Sequence, residues 1–207
     1  MVGFVLGVLA AVALTQLAAS LVKRIPKKSD FLVGLPILGM AFLLTLRKCG
    51  VSEDGIKMLL LVCVLYLVSV TDIYAHQIPN IVILTSIAIW ILLTTDMGII
   101  VLLKGLAEGL IVSFPLLILV LVMEKCFHKE ALGGGDIKLL YVIGLYLGWE
   151  KTLLSLLLAC VMGTFGGTLI QYHRKKKEFA MGPYIAVSAM VALLMGEQII
   201  EWYLKIS

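Results

Sequence analysis

The sequence predicts an all-α protein: a polytopic membrane helix bundle of about eight transmembrane segments with both termini outside. Three observations point there. Of its 207 residues 61% are hydrophobic and 14% are charged, and the mean hydropathy is +1.09; soluble domains run near half apolar and about a quarter charged. Apolar runs long enough for helical spans recur along the whole chain, whereas a transmembrane β-barrel would show short alternating segments. Small clusters of lysine and arginine separate those runs and fall mainly on alternate loops. No stretch is left for a separate soluble domain, so residues 1–207 read as one integral membrane domain.

The expected spans are 3–22, 31–46, 57–72, 79–95, 99–123, 136–149, 152–171 and 181–204. The first, within VGFVLGVLAAVALTQLAASLV, has no basic leader or evident cleavage site and is long enough to cross, so it reads as a helix and not as a signal peptide. The third, MLLLVCVLYLVSVT, ends at Asp72. The fourth opens at Ile78-Pro79-Asn80, where Pro79 suits a first helical turn. The fifth contains KGLAEGLIVSF, whose Lys104 and Glu108 are spaced for a pair on one helix face. Gly105/Gly109 and Gly163/Gly167 fit contacts between closely approaching helices. The sixth is short: Ile137 to Trp149 covers roughly 20 Å at 1.5 Å per residue, against a hydrocarbon core of about 30 Å.

Charge sets the orientation. With the N-terminus outside, the cytoplasmic loops 23–29, 72–79, 124–135 and 173–179 hold Lys23, Arg24, Lys27, Lys28, Lys125, Lys129, Arg174, Lys175, Lys176 and Lys177. The opposite side holds Arg47, Lys48, Lys57, Lys104, Lys151 and Lys205. Ten against six follows the positive-inside rule. The net charge of +4 therefore reads as a topology signal and not as a nucleic-acid surface. Cys49, Cys63, Cys126 and Cys160 include no CxxC pair, so they support neither a zinc site nor a disulfide framework.

Acids near a span are costly and usually face a cavity or a partner. Asp72, Glu108 and Asp136 are the three that qualify. Asp72 has the alternative of an interfacial residue among headgroups. Asp136 follows Gly133-Gly134-Gly135, and aspartate also makes a good helix N-cap. Three glycines suggest more than a cap: they permit non-helical backbone below the surface and close approach of other groups. Lys138 points to a different side of the helix from Asp136 and either snorkels, tunes the field at the carboxylates or binds a substrate group. Glu108 reads as structural. Two carboxylates on different spans, on one membrane face, are the minimal apparatus of an aspartic protease. One takes a proton from water while the other, protonated, polarises the scissile carbonyl; like charges so close share a proton. No metal is required.

At these residues the chain resembles the type IV prepilin peptidases, membrane aspartic proteases of the GxGD class. GGGDIKLLYVIGLYLGW is similar to the family's GxGDxKL motif and following helix. TDIYAHQIPN is similar to the block holding the first catalytic aspartate, and AMGPYIAVSAM to the late Gly-Pro block. The resemblance covers roughly residues 57–195. It implies Asp72 and Asp136 as the catalytic pair, with Gly133, Gly135, Lys138, Pro79, Gly182 and Pro183 shaping the site. It implies no cofactor and no metal. The substrate it implies is a prepilin or pilin-like precursor whose short basic leader is cut at the cytoplasmic face of the inner membrane. The loop KRIPKKSD is short and CxxC is absent, so the chain resembles the short members without the cysteine-containing cytoplasmic domain, and N-methylation is not implied. Two other classes compete: a proton-coupled transporter, which predicts inverted repeats that the sequence does not show, and a non-catalytic scaffold, which predicts loss of an aspartate or of the motif glycines.

Overall fold

The computed structural model describes residues 28–50, 52–127, 133–174 and 180–206. The expected span 3–22 and the basic loop 23–27 lie outside the described residues, as do 128–132 and 175–179.

Among the described residues seven α-helices follow one another: α1 (Lys28–Cys49), α2 (Glu53–Ala75), α3 (Asn80–Thr94), α4 (Ile99–Phe127), α5 (Gly134–Leu147), α6 (Trp149–Arg174) and α7 (Gly182–Ile206). A single 3-10 turn, Thr95–Met97, joins α3 to α4. Among the described residues there is no strand, as expected of an all-α chain. Among the described residues four helical segments are long and apolar enough to cross a membrane: Glu53–Ala75, Asn80–Met97, Ile99–Cys126 and Gly182–Lys205.

Sequence explains where the helices stop. Ser52 caps α2, its hydroxyl accepting from the Gly55 N–H at 3.0 Å, with Glu53 and Asp54 in the first turn, where negative charge is favoured. α2 runs three residues past Asp72 and is closed by His76 in the left-handed region (φ 48°), whose N–H donates to the Asp72 carbonyl. Pro79 stands at the N-cap of α3, one position before the expected helical turn. Gly98 and Gly148, both at positive φ, make the tight reversals between α3 and α4 and between α5 and α6, a conformation a side chain would strain.

The short connections make sequential neighbours antiparallel, so α1, α3, α5 and α7 begin at the end of the bundle where α2, α4 and α6 finish. Long-range bonds agree. The Tyr146 hydroxyl of α5 donates to the Ser86 carbonyl of α3 at 2.9 Å, which holds those two helices parallel. The core lies between α2, α5 and α7, where Leu61, Val64, Val68, Leu139, Leu140, Ile143, Ile185 and Ala189 are fully enclosed. α4 is different: Ile100, Leu103, Phe114, Leu119 and Leu121 are exposed along its length, as a lipid-facing helix requires. It meets α5 through glycine, with the Gly144 Cα face against the Gly109 backbone. Of the expected small-residue pairs, Gly105 packs on the Trp90 ring and Gly109 on Tyr141 and α5. Gly163 is buried, and the Gly167 side of that pair lies outside the described side chains.

The end opposite Asp72 is fastened by lysines. Lys48 at the foot of α1 donates to the Leu193 and Leu194 carbonyls of α7 at 2.9 and 2.8 Å, and Lys151 of α6 binds Glu197 of α7 at 2.6 Å. Lys57, a loop residue by sequence, is buried in the first turn of α2 with its ammonium against the Met97 sulfur at 3.1 Å. The expected Lys104–Glu108 pair forms at 3.7 Å.

Candidate active site

Asp72 sits one turn from the end of α2, and Asp136 in the first turn of α5. Both ends fall at the same level of the bundle. Asp72 is 7% exposed and Asp136 9%, so neither is an interfacial residue among headgroups. The two carboxylates lie within direct electrostatic reach of each other. Sixty-odd residues of chain separate them, and the reversals at Pro79, Gly98 and the start of α5 bring them back together.

The start of α7 closes the site. Met181 is its N-cap, since the Ile185 N–H donates to the Met181 carbonyl at 3.1 Å. Gly182 is then the first helical residue, and its N–H has no partner within the helix. That N–H donates to Asp72 Oδ2 at 2.7 Å. Pro183 follows and carries no N–H. A Cβ at position 182 would stand 2.7 Å from Asp72 Oδ2 and 3.0 Å from its Cβ, so glycine is required by space.

The glycine triplet works differently from the expectation of irregular backbone. Gly133 is the N-cap of α5 in an ordinary extended conformation (φ −63°, ψ 133°). Gly134 and Gly135 are already helical, and none of the three has positive φ. Asp136 is therefore not the cap; it lies three residues inside, its N–H donating to the Gly133 carbonyl at 3.0 Å. What the glycines supply is clearance. A Cβ on Gly135 would meet the Ile78 side chain at 3.0 Å, and one on Gly133 would meet Asp136 Oδ2 at 3.1 Å, whereas at Gly134 nothing lies within 4 Å. The outer two glycines of the triplet are fixed by their neighbours and the middle one is free, which is the spacing GxG.

Lys138 does not reach the carboxylates. Its ammonium donates to Asn80 Oδ1 at 2.8 Å, at an exposed position, linking the beginnings of α3 and α5. Asn80 is the residue that sequence reasoning passes over: it ends the run QIPN, and no local pattern pairs it with a lysine 58 residues away. Pro79 places it by fixing where α3 begins. Pro183 is half-buried beside Gly182. Among the described residues no group of three or more histidine, cysteine or acidic side chains could hold a metal. The four cysteines are free.

Fold and site together define a helical membrane protein with a buried aspartate pair at one end of its bundle. The chain belongs to the type IV leader peptidase family, whose model matches residues 59–168, a segment that includes both aspartates. Three relatives, each described as a prepilin leader peptidase/N-methyltransferase, show the range of similarity. The Aeromonas hydrophila protein is 42% identical over 79 residues, 37% of this chain and 27% of its own length. That of Stutzerimonas stutzeri is 32% identical over 161 residues, 75% of this chain and 55% of its own. That of Pseudomonas putida is 30% identical over 172 residues, 81% and 58% respectively. The chain thus spans little more than half the length of the Stutzerimonas stutzeri and Pseudomonas putida proteins and about a quarter of the Aeromonas hydrophila one. No solved structure matches this one.

Proposed function

We propose that the protein is a membrane-embedded aspartic endopeptidase that removes the short basic leader from prepilin or pilin-like precursors at the cytoplasmic face of the inner membrane, with Asp72 and Asp136 as the catalytic pair. The observation that carries this reading is that those two carboxylates, from different helices, are both buried at the same end of the bundle. Paired acids in a site of low dielectric share a proton, so one is available as base and the other as acid. The base draws a proton from water as its oxygen attacks the scissile carbonyl, and the acid protonates the carbonyl oxygen. Gly182 positions Asp72, Pro79 sets the start of α3 and with it Asn80, and Gly133 and Gly135 leave the space in which Asp136 stands.

The same reading takes the chain as a single domain of about eight spans with both termini outside. Seven alternating helices and the apolar segment 3–22 support that count. The orientation rests on the charge bias of the loops, ten basic residues on the cytoplasmic side against six on the other. Depth follows from helix length. α5 has 14 residues, or about 21 Å, and Gly182 lies a similar distance from Glu197 along α7. A bilayer core of about 30 Å therefore buries the site beneath the cytoplasmic surface, and a substrate helix enters with its cleavage point at that depth.

The test is co-expression with a pilin-like precursor encoded near the gene, comparing wild type with Asp136→Asn by size shift and by mass of the new N-terminus. A shift abolished in the variant supports the peptidase. An unmethylated product amine supports a peptidase without N-methylation. A precursor left intact by wild type, across several candidates, overturns the reading in favour of a transporter or scaffold.

A further inference from the structure

We infer that the aspartate pair is asymmetric by construction: Asp72 is the ionised member and receives the proton of the attacking water, Asp136 carries the shared proton, and the Gly182 N–H is the positioning group that makes the difference. This rests on the peptidase reading above and deepens it.

Both aspartates face the positive end of a helix. Asp136 lies in the first turn of α5, and Asp72 meets the first turn of α7. The helix macrodipole therefore does not separate them. Hydrogen bonding does. Asp72 Oδ2 accepts the Gly182 N–H at 2.7 Å, a charge-assisted bond that favours the carboxylate form. Among the described residues, none donates to the Asp136 carboxylate. The α7 terminus is also built to offer that donor alone. Pro183 has none to give, and the Tyr184 N–H is turned back to the Met181 carbonyl at 3.1 Å. The titratable group that acts on Asp72 is His76, which caps its helix, and Asp72 in turn acts on Asp136 from α5. A negative charge on Asp72 in turn keeps the proton on Asp136, since adjacent like charges disfavour each other.

Oδ2 is committed to Gly182, so Oδ1 is the oxygen presented to water. The water proton passes to Asp72 Oδ1 as the water oxygen bonds to the scissile carbon, and the Asp136 proton passes to the carbonyl oxygen. On collapse the C–N bond breaks, the leaving nitrogen takes the proton from Asp72, and one hydroxyl of the tetrahedral carbon returns its proton to Asp136. Both aspartates end as they began.

The experiment is the pH profile of kcat/KM for wild type and Gly182→Ala, in detergent or liposomes with a purified precursor. The added methyl displaces the Asp72 carboxylate from the N–H. In a two-acid mechanism the acid limb reports the base and the alkaline limb the acid. The expected result is an acid limb moved up by about one pH unit, tenfold in proton affinity. An alkaline limb that moves while the acid limb stays makes Asp72 the acid and overturns the assignment. A uniform drop with both limbs in place makes Gly182 merely structural and also overturns it. If Gly182→Ala does not fold, a leader peptide with a hydroxyethylene group at the scissile bond provides the second measurement. Its hydroxyl donates to the ionised member, so Asp72→Asn binds it at least about tenfold more weakly than Asp136→Asn, the loss of a hydrogen bond to a charged group; equal or reversed losses overturn the proposal. A wild type that cleaves nothing refutes the peptidase reading itself, and that outcome is visible before any variant is compared.

Discussion

Replacing Gly144 by alanine puts a methyl carbon 2.7 Å from the Gly109 Cα and 3.2 Å from the Glu108 carbonyl oxygen. Both obstacles are backbone, so no side chain can swing aside. Relief requires α4 and α5 to part by about 0.7 Å to restore ordinary carbon contact. A gap of that size forfeits a quarter to a half of each contact of about 0.1–0.2 kcal/mol, and with about 40 such contacts the interface loses about 2 kcal/mol at the middle of those ranges. The gain in helix propensity from glycine to alanine returns about 1 kcal/mol, leaving Gly144→Ala destabilised by about 1 kcal/mol. Gly134→Ala is the matched control, because it adds a methyl to the same helix with nothing within 4 Å, and it should be neutral or slightly stabilising. Reversible unfolding in mixed micelles, read by circular dichroism, gives both values. A Gly144→Ala protein as stable as wild type, or less affected than Gly134→Ala, would refute the inference that glycine here sets the helix separation.

Further expectations come from the site and from the outer end. Asp72→Asn and Asp136→Asn should each lower precursor cleavage by at least about a thousandfold with insertion unchanged, as measured by cleavage assay beside membrane fractionation; normal cleavage by either variant removes that residue from the pair. Gly135→Ala should impair cleavage through its contact with Ile78 while Gly134→Ala does not, and equal activities would contradict the clearance assigned to the triplet. Lys138→Ala should reduce cleavage without abolishing it, and a cycle with Asn80→Ala should be non-additive, since the two share one bond; strictly additive effects would detach the lysine from Asn80. Lys151→Met should cost no more than about 1 kcal/mol in the same unfolding experiment, because its partner Glu197 is largely exposed.

The aspartates were legible because a carboxylate against a long apolar run is an expense that demands a reason; both are buried. The helices were legible as long apolar runs, with Pro79 marking the start of one by its own chemistry. What could not be read was distance between helices. Gly144 lies in YVIGLYLGW and looks like any glycine of a membrane helix, yet its Cα face lies against the Gly109 backbone of α4. Lys57 carries the signature of a loop cation and is buried in α2. Lys138 was open to three readings, and its choice depends on Asn80, which only the packing of α3 beside α5 brings within reach. The triplet was correctly marked as special but for a different cause: backbone freedom is a property of one residue, whereas clearance is a property of its neighbours.

The two lysine attachments on α7 give that helix the mechanics of a lever. Its fixed point lies at Leu193–Glu197, and its free tip is Gly182, some fifteen residues or about 22 Å away. At that arm length a tilt of only about 3° moves the tip by about 1 Å, enough to lengthen a 2.7 Å bond beyond the range in which it is strong. The grip on Asp72 therefore depends on how firmly the far side of the bundle is bolted, and a change at that distant fulcrum reaches the carboxylate magnified in its effect, without any atom between them being altered.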